Sequence, residues 1–222
     1  MVSLQNVVDT DYKGTRHWAV GTDPDLLMRI HEEDVNIAIY ERDTSNLESE
    51  INSLLEQNIE LRASGDVDGI MEKVQEVLNP QKHGLLIEDI KVLLSHFQEV
   101  VGTENCRLLL ATINSNMCRK FHTDINEVRM LCTYSGPGTL WLTDDNINRR
   151  ALGARGMDDE QIAIQERKVQ QVKTGAVTLL KGALYPGDGA SAVVHRSPTI
   201  EESGEKRLLL RIDNNDTSRL WA

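Results

Sequence analysis

Cys106-Arg107-Leu108-Leu109-Leu110-Ala111-Thr112-Ile113 opens the half of the chain in which the pattern of apolar residues changes. From here on, apolar residues come in short runs, at 106–113, 128–134, 139–142, 175–181, 192–195 and 206–212, divided by Gly, Pro and Asn. Short runs between turn signals predict the strands of a sandwich or barrel. The polar stretch 146–173, rich in Arg, Gln and Glu, reads as a helical or mobile insertion between barrel strands. A long polar segment in that place is either functional or disordered, which makes it the lid candidate.

Before Cys106 the spacing is helical. Helices are predicted over about 67–78 and 87–101, divided by the breaker Asn79-Pro80-Gln81-Lys82-His83-Gly84 and stopped by Gly102. Another starts at Thr44 or Ser45, with Glu48 where a capping-box acid stands and Leu47, Ile51, Leu54 and Leu55 at helical spacing. Asp23 before Pro24 marks a further helical start, and the alternating, β-branched Val35-Asn36-Ile37-Ala38-Ile39-Tyr40 marks a strand. The expected fold is α+β in a single domain, residues 1–222. A double-stranded β-helix, jelly-roll or cupin-like, occupies 104–216, and the mostly helical residues 1–103 pack on one sheet.

With 35 acidic against 24 basic side chains the formal net charge is -11, which repels polyanions, so neither nucleic acid nor an anionic membrane is expected as a partner. No apolar run approaches the roughly 20 residues of a membrane span. The first dozen residues lack the basic start and apolar stretch of a secretory signal. Three cysteines, an odd number, argue for reduced thiols, and the cytoplasm is the expected compartment. The expected partner is a small-molecule or protein substrate, with the oligomeric state open.

The sharpest chemical feature is Phe121-His122-Thr123-Asp124 with a second histidine in Val194-His195-Arg196-Ser197-Pro198, 73 positions after the first. Residues two apart on a strand point the same way, so His122 and Asp124 can address one point, and His195 from a neighbouring strand completes two imidazoles and a carboxylate. That facial set leaves positions open for substrate and oxygen and suits non-haem Fe(II). Taken alone, His-x-Asp is more often a hydrogen-bonded histidine beside a turn aspartate. A rival set, Cys118 and His122 with Cys132, offers soft ligands for Zn(II), at a spacing unusual for structural zinc. His17, His31, His83 and His96 have no partner at ligand spacing.

The order Gly175-Ala176-Val177-Thr178-Leu179-Leu180, His195, Gly204-Glu205-Lys206-Arg207 resembles that of 2-oxoglutarate oxygenases. In those enzymes a basic residue about a dozen positions past the distal histidine holds the far carboxylate of the co-substrate, and Arg207 lies 12 positions past His195. A guanidinium suits that role because its planar fork gives a carboxylate two charge-assisted hydrogen bonds. Arg211 shares a strand face with Arg207, and register alone does not choose between them. Residues 117–124, Leu131-Cys132-Thr133-Tyr134-Ser135-Gly136-Pro137-Gly138-Thr139-Leu140-Trp141-Leu142, Leu180-Lys181-Gly182 and 194–198 also resemble the bacterial domain-of-unknown-function family numbered 1826. That resemblance spans roughly 34–213 and gathers motif residues where the metal is expected. It suggests Tyr134 as a donor to a bound carboxylate, Gly136-Pro137-Gly138 as a nearby turn, Trp141 as an apolar wall, and Arg129 and Lys181 as polar lining.

Together these readings imply an oxygenase. Fe(II) is held by His122, Asp124 and His195, and Arg207 grips 2-oxoglutarate, which is oxidised to succinate and carbon dioxide as a substrate C–H bond is attacked. Two alternatives stand beside it. One is a cupin-like metal protein, enzymatic or sensing, that does not use 2-oxoglutarate. The other is a metal-free interaction module in which both histidines are merely hydrogen-bonded barrel residues.

Overall fold

The structure, a computed structural model, describes residues 17–152, 159–187 and 191–214. Its strands in chain order are β1 (Trp18–Gly21), β2 (Ile37–Tyr40), β3 (Glu60–Gly65), β4 (Cys106–Ile113), β5 (Val128–Ser135), β6 (Leu140–Trp141), β7 (Gln170–Gln171), β8 (Val177–Lys181), β9 (His195–Arg196) and β10 (Arg207–Asn214). A large sheet runs β1-β2-β8-β5-β10-β4-β3 and a small one β7-β6-β9. All pairings are antiparallel apart from β1 with β2.

The two-residue period of the strands gives the large sheet two different faces. Val128, Met130, Cys132 and Tyr134 of β5 and Leu208, Leu210 and Ile212 of β10 join the core formed with the helices. Arg129, Leu131 and Thr133, and Arg207, Leu209, Arg211 and Asp213, alternate with them and turn to the inner face, opposite the small sheet. There Leu131 and Leu180 pack with Ile37, Ile39, Trp141 and Val193.

Three helices, α1 (Glu48–Gln57), α2 (Val67–Val77) and α3 (Gly84–Val101), cover the other face. Their ends follow ordinary capping chemistry. The Asp66 carboxylate accepts from Gly69 N–H (2.8 Å) at the start of α2, and Gly102 closes α3 in the left-handed region at φ +65°. His83 gives α3 no side-chain cap. Glu50 of α1 does so instead, accepting from Leu85 and Leu86 N–H at 3.2 and 2.8 Å, which also fixes one helix against the other. Buried residues such as Ile90, Leu94 and Phe97 then meet Leu108, Leu110 and Met130, each contributing about 1.5–3 kcal/mol over an exposed position.

Two expectations change. Residues before 104, expected to be mostly helical with a strand at 35–40, supply three of the seven strands of the large sheet, β1, β2 and β3, so 104–216 does not build it alone. In β3 only Leu61 and Ala63 face the helices, while Glu60, Arg62 and Ser64 stand on an exposed edge, so the strand shows no apolar run. The segment opened by Pro24 is a 3-10 helix, Pro24–His31, with Asp23 accepting from Asp25 N–H at 3.0 Å.

The described parts of 146–173 pack against the small sheet, and residues 153–158 of that insertion lie outside the described residues. Ile147, Ala151, Ile162 and Ala163 pack with Phe121, Leu142 and Val194 on the outside of the small sheet, and β7 joins its edge. Buried Asn146 ties the two arms together, accepting from Gln165 N–H at 2.8 Å and donating to its carbonyl at 3.1 Å. Among the described residues, no helix is long and apolar enough to cross a membrane.

One polar island lies between the helices and the large sheet. Asp89 of α3 receives both terminal nitrogens of Arg42 and the Tyr134 hydroxyl, the latter at 2.6 Å, and Arg42 also donates to the Gly175 carbonyl at 3.1 Å. Burial raises the Tyr134 pKa well above its ordinary value, so the phenol acts as a neutral donor. Tyr134→Phe removes one charge-assisted hydrogen bond from a buried carboxylate and is expected to cost about 1.5–3 kcal/mol in urea unfolding. A loss under about 0.5 kcal/mol would show that the bond contributes little.

Gly182, just after β8, lies so close to Asn126 that a Cβ would come within 2.1 Å of both its backbone and side-chain oxygens. Gly182→Ala is therefore expected to push the 124–126 turn outward at a cost of about 1–3 kcal/mol. Calorimetry should record a Tm lowered by several degrees, and an unchanged Tm would contradict this close packing.

Candidate metal centre

His122 and His195 exchange two backbone hydrogen bonds, N–H to O at 3.0 Å in each direction, as an isolated antiparallel bridge. His195 is in turn the register partner of Trp141 in β6, so Trp141, His195 and His122 stand in one row. Paired residues of neighbouring strands project to the same side, and this side is the inner one, where Trp141 packs with Leu131 and Leu180. The rings of His122 and His195 lie 4.7 Å apart. Asp124 is placed by the turn that precedes β5, where its carbonyl accepts from Ala183 N–H at 2.8 Å.

Both imidazoles are oriented by the chain itself. Nδ1 of His122 meets the Lys120 carbonyl at 2.9 Å and Nδ1 of His195 meets the Val193 carbonyl at 3.1 Å. A carbonyl oxygen only accepts, so each Nδ1 carries hydrogen and each ring turns its Nε2 toward Asp124. The distances are 3.3 Å from His195 Nε2 to Asp124 Oδ2 and 3.7 Å from His122 Nε2 to Oδ1. One ligand atom from each of the three residues falls within 4.8 Å of the others, and this is the one such group among the described residues.

Burial and the neighbouring His195 push the His122 pKa below the usual imidazole value. Burial opposes ionisation of Asp124, but His195, Arg129 and His122 around it outweigh burial and hold its pKa down to about 2. An ionised carboxylate and two imidazole Nε2 atoms converging on one point call for a cation among them, a proton on one imidazole or a metal ion. Asp124 Oδ2 is buried and has His195 Nε2 as its near neighbour, so a metal ion bound there would take the place of that contact. Two nitrogens and one oxygen suit a divalent transition metal, Fe(II) among them.

The thiolate set is not assembled. Cys118 is exposed, and Cys132 is buried on the helix face, where burial raises its pKa to about 11. Tyr134 and Lys181 are likewise turned away from the site. Tyr134 is bound to Asp89, and Lys181 Nζ donates to the Glu32 carbonyl at 2.9 Å above the Tyr185 ring. For Tyr134 the reason is parity: it stands an odd number of positions from Thr133 and Arg129, which face inward.

The structure separates the two arginines that register alone left equivalent. Arg211 Nε lies 3.1 Å from Asp213 Oδ2, whereas Arg207, 1% exposed, has no carboxylate partner among the described residues. Its Nη2 donates to Thr133 Oγ1 at 3.0 Å and its Nε is buried without a partner. Burial alone lowers its pKa, to about 10. Gly136, at φ +79°, lets the Gly-Pro-Gly turn pass directly over Arg207, since a Cβ there would come within 2.9 Å of its side chain. Thr133, the buried and unpartnered Thr178 hydroxyl, and Asp213 were not singled out from the sequence, although strand parity with Leu131 and Leu180 assigns both threonines to the inner face.

Comparison with known proteins adds family and fold. The dioxygenase for auxin oxidation 1 from Arabidopsis thaliana, in its 2-oxoglutarate binary complex, is similar in fold with a TM-score of 0.50 at 9% identity, over 88% of this chain and 91% of that one. A Pseudomonas putida prolyl-4-hydroxylase gives 0.46 at 9% identity, over 86% and 96% respectively. No curated protein sequence matches the chain. The family described as "Protein of unknown function (DUF1826)" matches residues 21–213, which take in the whole His122, Asp124, His195 and Arg207 arrangement, and the chain belongs to that family.

Proposed function

We propose that the two sheets form a double-stranded β-helix and that the protein is a non-haem Fe(II)- and 2-oxoglutarate-dependent oxygenase. The observation that carries the reading is the buried Arg207 guanidinium, on the inner face of the large sheet that the His-Asp-His group also faces, with no carboxylate among the described residues to neutralise it. A buried unpaired cation is costly, and an anionic co-substrate removes the cost.

His122, Asp124 and His195 would hold the metal. Bound Fe(II) would supply the redox chemistry by which oxygen and 2-oxoglutarate give succinate, carbon dioxide and an oxidised substrate. The protein's own part is placement. Arg207 offers its fork to the far carboxylate of the co-substrate, and Thr133 holds that fork in position. The Thr178 hydroxyl offers a further donor on the same face. Leu131, Leu180, Trp141 and Val193 form an apolar cluster on the inner face that would keep water from the site and so strengthen the charge interactions in it.

The test is anaerobic titration of metal-free protein with Fe(II) and then 2-oxoglutarate, following the visible charge-transfer band of the iron-chelated co-substrate. The band is expected in the wild type. It should be lost in His122→Ala together with the metal, and lost in Arg207→Ala with Fe(II) binding retained. Iron uptake without the band would refute 2-oxoglutarate use, and failure to bind iron would refute the metal centre.

A further inference from the structure

Arg129 lies between two carboxylates. Its Nη1 reaches Asp124 Oδ1 at 2.5 Å and its Nε donates to Asp213 Oδ1 at 2.6 Å. Asp213 is itself buried and held from two further sides, by Asn126 Nδ2 at 3.1 Å and by Arg211 Nε at 3.1 Å from its other oxygen. Arg129 and Asp213 are register partners on β5 and β10, two neighbouring strands of the large sheet. The rigid part of this arrangement is therefore the sheet, and the part it steadies is the Asp124 turn.

The two oxygens of Asp124 are treated differently. Oδ1 is gripped by Arg129, with His122 Nε2 farther off at 3.7 Å, while Oδ2 is buried and faces His195 Nε2 at 3.3 Å. A carboxylate free to turn about its last bond presents either oxygen, or both, to a cation. One whose first oxygen is gripped by a guanidinium presents the second.

We propose that Arg129 is a positioning residue, anchored by Asp213, that holds Asp124 as a one-oxygen ligand through Oδ2. This inference rests on the metal-centre reading above. Charge alone acts in the opposite direction, and that makes the role separable. A guanidinium beside the site repels a divalent cation, so removing it should tighten metal binding if Arg129 acts only through its charge. Loss of affinity on removing a positive charge is the signature of positioning.

The experiment uses the full-length metal-free protein and Co(II), measured by competition with a chromophoric chelator and by the visible spectrum of the bound ion. Arg129→Gln is expected to weaken Co(II) binding by about 10- to 100-fold, the usual effect of losing a residue that orients a metal ligand. Its Co(II) absorption should also be weaker, as Asp124 turns to bind through both oxygens and raises the coordination number. Arg129→Lys, which keeps one charged donor, is expected to recover part of the affinity. Asp213→Asn keeps an acceptor for Arg129 and weakens binding in the same direction by less, which maintains the test should Arg129→Gln fail to fold. Equal or tighter Co(II) binding in Arg129→Gln or Asp213→Asn, with an unchanged spectrum, would overturn the clamp and leave the metal centre standing. A wild-type protein that takes up no Co(II) would overturn the metal centre itself, and the clamp with it.

Discussion

The pair of backbone hydrogen bonds between His122 and His195 is the constraint from which the site is built. It joins two segments far apart in the chain and sets two imidazoles on one side of the small sheet. It also leaves their own side chains free, because the bonds are made by main-chain atoms. Each ring is then turned by a carbonyl two residues back, Lys120 for one and Val193 for the other. Orientation of both histidines thus depends on local backbone shape and needs no dedicated second carboxylate.

The large sheet separates two kinds of polar chemistry. On the helix side, Arg42, Asp89 and Tyr134 satisfy one another and tie α3 to β5, a closed set with every charge matched. On the inner side, Asp213, Arg129 and Asp124 form a chain of alternating charge that ends at the histidines, while Arg207 lies apart with only Thr133. Buried charges are tolerated when paired and become costly when left alone. The first set therefore reads as structure, and Arg207, unmatched among the described residues, is the charge on which the proposed co-substrate reading rests.

Much of this was legible from residue pattern. The strand Cys106–Ile113 and the beginnings of β5 and α2 stand where turn signals and apolar runs place them, because long central elements with a buried face carry a strong periodic signal. His122, Asp124 and His195 were readable as a set because histidine is scarce in the chain and the spacing of the three fits neighbouring strands. What escaped was of two kinds. Edge strands β1 and β3 are short and half exposed, so packing rather than apolar content makes them strands. The face of a strand residue turns on a single step in register, and that step moved Tyr134 away from the site and brought Thr133 into it. The choice between Arg207 and Arg211 was invisible in sequence because it depends on Asp213, a partner on the same strand whose effect on Arg211 is spatial.

The two faces of the sheet also differ in how easily their atoms are oxidised. Met71, Cys106, Met130, Cys132 and Tyr134 all belong to the helix-side core, whereas the inner clusters beside the His122 and His195 rings are built of Leu, Ile, Val and Ala with Trp141 as their buried aromatic. Sulfur and phenol groups are the first to suffer from reactive oxygen, and aliphatic carbon resists it far better. A layer of hydrogen-bonded backbone stands between the inner face and these atoms. The same alternation that folds the strand thus sorts the sheet's own side chains, leaving aliphatic carbon on the inner face and thiol, thioether and phenol on the helix face.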